Sequence, residues 1–102
     1  MTYLVRFDSI EWESPSDGVR QKIHRVGDRV LRLVEYSTGL TPHWCRKGHI
    51  GRVVEGKIEI AFKGGTDVFG PGDGMFIPSG AEHEHRAVPL TLTVTVWFVE
   101  DA

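Results

Sequence analysis

From Val19 onward, hydrophobic and polar residues alternate with a period of two along one segment after another. This is the pattern of strands with one face on a core and the other on water. The clearest case is TLTVTVWFV, residues 91–99, in which Leu92, Val94, Val96 and Phe98 share one face while Thr93, Thr95 and Trp97 share the other. Shorter runs of the same kind, or rich in β-branched residues, are VRQKIHRV, RVLRLVEY, HIGRVVE, KIEIAF, TDVF and GMFIP. Between them stand SPSDG, VGDR, STGLTP, EGK, KGGT, GPGDG and PSGAE, where glycine, 12 of 102 residues, marks turns. The spacing predicts many short strands.

Val19, Ile23, Val26, Val30 and Leu33 also fit a helical repeat. We read this stretch as a hairpin, because Gly27 and Asp28 break it with a turn dipeptide and so much valine favours a strand over a helix. The pair Glu11 and Glu13 around Trp12 reads as an edge segment. No repeat or change of composition divides the chain, so residues 1–102 are expected to form one domain with one core and at most one pocket. The fold class is all-β, a sandwich or barrel in which closing or doubling the sheet removes exposed edges.

Composition narrows the function. Twelve basic residues against 14 acidic ones give a net charge of −2, with no long basic run to neutralise phosphates, so neither nucleic acid nor an anionic membrane is an expected partner. The N-terminal segment MTYLVRFDSI lacks a secretory pattern, and VTVWFV is too short to span a bilayer. A single cysteine makes no internal disulfide. The expectation is a protein of a reducing compartment, the cytoplasm.

Candidate chemistry lies in TPHWCRKGHIGRVVEG, residues 41–56. On an extended strand His43 and Cys45 point to the same side, and His49 keeps that parity if the strand continues. Three metal donors then converge. In GDGMFIPSGAEHEHRA, Pro78 and Gly80 turn the chain, and His83 and His85 follow with matching parity, two candidates for one further donor position. Gly51 falls on the face of His49 and either leaves room for a ligand or marks a barrel bend. Arg46 and Lys47 flank Cys45 and would favour its thiolate, and Glu82 and Glu84 are acids near the expected pocket mouth or simply solvated turn carboxylates.

These residues resemble the motifs of a small single-domain cupin of the conserved-barrel type, G-x5-H-x-H-x3-E-x6-G followed by G-x5-P-x-G-x2-H-x3-N. The first motif's histidine pair falls on His43 and Cys45, its glutamate on His49 and its closing glycine on Gly56. The second motif's glycine, proline, glycine and histidine fall on Gly72, Pro78, Gly80 and His83, with Ala87 where asparagine is usual. The resemblance implies a double-stranded β-helix, or jelly-roll barrel, a homodimer, and a divalent metal at His43, Cys45, His49 and His83. Cysteine for histidine and histidine for glutamate soften the donor set, which points to zinc, iron or nickel. If all four side chains bind, the site is closed, as in structural zinc centres; if Cys45 stays off the metal, positions remain open for substrate or dioxygen.

Two functions follow as expectations. The first is a small-molecule-handling cupin with a mononuclear divalent metal centre and an activity of the dioxygenase, isomerase or lyase type, a choice the fold does not make. The second is a non-catalytic ligand-binding cupin with a closed structural metal site or no metal.

Overall fold

In the computed structural model, which describes residues 3–101, the alternating segments become antiparallel strands. In chain order they are β1 (Glu13–Ser16), β2 (Val19–Val26), β3 (Arg29–Ser37), β4 (His49–Glu55), β5 (Ile58–Phe62), β6 (Gly65–Phe69), β7 (Gly74–Ile77), β8 (Arg86–Pro89) and β9 (Thr93–Asp101). Helix is confined, among the described residues, to the 3₁₀ turns Phe7–Ser9 and Ala81–His83, so no helix is long and apolar enough to cross a membrane. Six strands form one sheet in the order β1-β2-β3-β9-β4-β7, and a second sheet runs β6-β5-β8. The result is an all-β jelly roll.

The β2–β3 hairpin is as read from the sequence. Val26 pairs with Arg29 across a two-residue loop, and Gly27 there has φ 60, the glycine-first arrangement that matches strand twist. β1 and β8, four residues each, are too short to stand out by alternation. Trp12, just before β1, lies under Arg20 and Lys22, 4.1 and 4.9 Å from the ring centre. Leu92 departs from its expected inward position: it is 81% exposed, because β9 begins only at Thr93 and the residue sits in the preceding bend.

The two sheets close on Val34, Val53, Ile58, Ile60, Met75, Ile77, Val94, Val96 and Phe98. The inner face of the larger sheet changes character along its strands. Val34, Val96 and Val53 lie side by side with no exposed surface. Two residues on, the row reads Arg32, Phe98, Gly51 and Met75. Two further on, Val30 faces Glu100 and Ile77 faces His49. A dry interior thus grades into a polar end within one sheet.

Of the two readings of Gly51, room for a ligand is the one the structure closes, because the space beside it is filled by protein. A Cβ there would overlap the Trp97 carbonyl oxygen and lie 2.7 Å from Phe98 Cδ1, so glycine lets the Phe98 ring settle over β4. On the outer face, Phe76, Ile50, Val99 and Leu31 pair in one row across β7, β4, β9 and β3, with Phe76 74% and Ile50 48% exposed.

Gly51→Ala is expected to lower stability in urea denaturation by about 1–3 kcal/mol, the usual cost of overpacking. Gly64→Ala, where an added Cβ meets nothing within 4 Å, should stay within about 0.5 kcal/mol of the parent.

Candidate metal and ligand site

Beyond β3 the chain leaves the sheet and returns at β4, and between them Cys45 makes one isolated bridge with His85. Cys45 N–H donates to the His85 carbonyl at 2.8 Å and His85 N–H donates to the Cys45 carbonyl at 2.9 Å. The two residues are a directly opposed antiparallel pair, so their side chains project to the same side. His49 opens β4 from the other sheet. The donor atoms of Cys45, His49 and His85 all lie within 4.8 Å of one another.

Each imidazole is oriented by a partner on its Nδ1. His85, 4% exposed, has Nδ1 3.0 Å from the His83 carbonyl oxygen; a carbonyl only accepts, so Nδ1 carries the proton and Nε2 is left with its lone pair. That Nε2 is buried with no protein partner among the described residues. Burial holds the His85 pKa below the ordinary histidine value, against the opposing bond to the His83 carbonyl and with the help of His49 and His43. It is therefore neutral at pH 7, as a ligand must be.

His49 is held from β9. Its Nδ1 lies 2.7 Å from Glu100 Oε2, the two side chains being 14% and 3% exposed. Arg32 approaches the same carboxylate, with Nε 2.7 Å from Oε1 and Nη2 donating to Oε2 at 3.1 Å. Its Nη1 donates to Gln21 Oε1 at 2.9 Å, and Gln21 Nε2 donates to Glu13 Oε1 at 2.9 Å. Burial alone would push the Glu100 carboxyl up, but the hydrogen bond from His49 and the charge of Arg32 outweigh it and hold the group below the usual carboxylate range. The Phe98 ring, 4.8 Å from that of His49 and tilted by 33°, fixes the imidazole from below.

This set differs from the expected His43, Cys45, His49 and His83. Cys45 and His49 converge. His85 takes the position expected of His83, and His43 stands outside the cluster. Strand parity fails at both: residues 81–83 form a 3₁₀ turn in place of a strand, which leaves the His83 side chain 41% exposed, 3.7 Å from Glu82. Residue 43 lies in irregular backbone ahead of the bridge, and its Nδ1 is 3.4 Å from the Thr41 carbonyl. His83 acts through its main chain, as the acceptor that sets the His85 tautomer. Glu84 is engaged by Arg46 at 3.3 Å, and neither it nor Glu82 lines the pocket.

Glu100 and Arg32 were not singled out from the sequence, although a signal was there. Glu100 continues the inward parity of Val94, Val96 and Phe98, and Arg32 falls between Val30 and Val34. A charge in the inward register of an apolar strand needs a buried partner.

The cluster opens on a pocket of about 270 Å³ whose wall includes Tyr36, Leu40, Pro42, His43 and Lys47. The donors fit a metal ion: a thiol and two imidazoles suit a soft or borderline divalent transition metal, and the buried His85 Nε2 has no protein partner among the described residues, as a ligand nitrogen requires.

Glu100→Gln is expected to cost about 3 kcal/mol at pH 7, because it leaves the Arg32 charge buried without its counter-ion. The folded-state pKa is depressed, so this stabilisation is complete above the ordinary value of 4.5 and is lost as pH falls through the lower folded value. Urea titrations of parent and variant should therefore converge in acid.

No family model and no curated protein sequence matches this chain. Solved structures do. KdgF from Halomonas sp. superposes with a TM-score of 0.78 at 23% identity, covering 100% of this chain and 96% of that one. An RmlC-like cupin from Shewanella frigidimarina gives 0.73 at 20% identity, covering 97% and 91%. The polyketide cyclase RemF from Streptomyces resistomycificus gives 0.76 at 25% identity, covering 99% and 80%. The chain is a small single domain with the cupin fold.

Proposed function

We propose that this protein is a metal-dependent cupin that binds and transforms a small molecule, with one divalent transition metal, zinc, iron or nickel, held by Cys45, His49 and His85. The observation that carries the reading is the buried, unpartnered His85 Nε2 within a cluster whose donor atoms lie within 4.8 Å. Three protein donors, where structural sites use four, favour an open coordination position, and the adjoining pocket gives a small molecule access to it. A bound metal would supply Lewis-acid polarisation of a substrate oxygen. The chain's own residues orient the site: Glu100 and the His83 carbonyl fix the two imidazoles, a carboxylate–histidine and a carbonyl–histidine pairing of the kind that raises ligand basicity. Dioxygenase, isomerase and lyase chemistry are all compatible with this arrangement.

The reading includes a homodimer. Its support is the apolar row Phe76, Ile50, Val99 and Leu31, which ends on β7, a strand paired on one side only; a patch at a sheet edge is suited to a self-complementary two-fold contact.

Equilibrium dialysis of metal-stripped protein against zinc or cobalt is expected to give one ion per chain. Cys45→Ser, His49→Ala and His85→Ala should each weaken binding beyond the roughly 10- to 100-fold that outer-shell changes cost, whereas His83→Ala leaves the side-chain donors intact and affinity nearly unchanged. Cobalt-loaded protein should show a thiolate charge-transfer absorption that vanishes in Cys45→Ser. Loss of binding in His83→Ala with retention in His85→Ala would refute the assignment. For the dimer, light scattering should report twice the chain mass for the parent and a monomer for Phe76→Lys.

A further inference from the structure

The protein carries 14 acidic residues and a net charge of −2, yet no aspartate or glutamate lines the pocket beside the metal cluster, while Arg32 and Lys47 both do. Arg32 is already matched by Glu100. Lys47 makes no ion pair among the described residues, so one cationic charge at the wall is unbalanced. Tyr36 lines the same wall, and its hydroxyl has no acceptor among the side-chain hydrogen bonds of the described residues. Thr41 and Ser16 add hydroxyls. The polar wall thus carries one uncompensated cation and several hydroxyls, with no carboxylate. The remainder is apolar, from Val19, Leu40, Pro42 and Ala87.

We propose that this pocket takes a small organic monocarboxylate, its carboxylate between Lys47 and Tyr36 and its short apolar body against Val19, Leu40, Pro42 and Ala87. The inference deepens the proposed function by naming its ligand class, and rests on that reading for the placement of the bound molecule within reach of the metal. A single unbalanced ammonium matches a single negative charge. A phosphate, with close to two negative charges, is matched less well by one ammonium than a carboxylate is. Burial pushes the Tyr36 phenol up to about 12, so it remains a donor at any pH of interest. At about 270 Å³ the pocket falls just below the volumes that hold drug-sized ligands, which sets the scale of the acid.

The test is calorimetric titration of the full chain, metal-stripped and zinc-loaded, with benzoate, its neutral isostere benzamide, and inorganic phosphate. Benzoate is expected to bind at least about tenfold more tightly than benzamide, the discrimination of a charge-assisted hydrogen bond. Lys47→Gln and Tyr36→Phe should each weaken benzoate about tenfold while leaving benzamide unchanged. Lys47 is exposed, so its variant folds as the parent does, which circular dichroism checks. Equal binding of benzoate and benzamide, tighter binding of phosphate, indifference to Lys47→Gln, or no benzoate binding at millimolar concentration would each overturn the proposal. Lys47-dependent benzoate binding by a protein that takes up no zinc would refute the metal reading alone. Zinc binding with no preference for the anion would refute this inference alone.

Discussion

The polar end of this barrel depends on one buried carboxylate. Glu100, 6% exposed overall, sits where three strands meet, taking a hydrogen bond from His49 of β4 and the guanidinium of Arg32 from β3. A lone carboxylate at that depth would cost several kcal/mol. Its two partners make it tolerable, and in return it fixes them: the imidazole in one tautomer, the guanidinium over the Phe98 ring at 5.4 Å from its centre. Beyond Arg32 the network continues through Gln21 to Glu13 on the edge strand. The polar end of the barrel is therefore organised across five strands.

This arrangement accounts for the histidine at position 49, where the resemblance in sequence leads one to expect glutamate. The negative charge has not left the site; it stands one residue further from the cluster, on the opposite side of an imidazole. A histidine backed by a carboxylate is a stronger donor than a free one. His49 and the buried Glu100 form one hydrogen-bonded unit, closed on its other side by Arg32.

Much of the architecture was legible because it depends on local rules. Alternation gave the long strands, since a residue slipped by one would move its whole apolar face into water. The glycines at 56, 72 and 80 all have positive φ, 79, 89 and 133, which explains why they punctuate the chain at fixed spacing. The site was legible only in part. Cys45 and His49 converge as their spacing implies; parity leaves His83 and His85 equal and only the resemblance favours His83, which falls in a 3₁₀ turn, while His43 lies in irregular backbone. The choice of His85 is made by a bridge to Cys45 forty residues away in the chain, a non-local pairing that no periodicity encodes. Glu100 and Arg32 differ in kind: their inward register is local, but which partner satisfies each charge is decided across strands.

The two donors joined by reciprocal backbone bonds, Cys45 and His85, belong to the side of the smaller sheet, whereas His49 is carried by the larger one. The aperture between them is accordingly governed by how far apart the sheets are held, that is, by the thickness of the hydrocarbon layer supplied by Ile58, Ile60 and Phe98. Trimming or enlarging Ile58 or Ile60 in that layer would change the spacing of the candidate donors from a distance, whereas Phe98 acts on His49 directly.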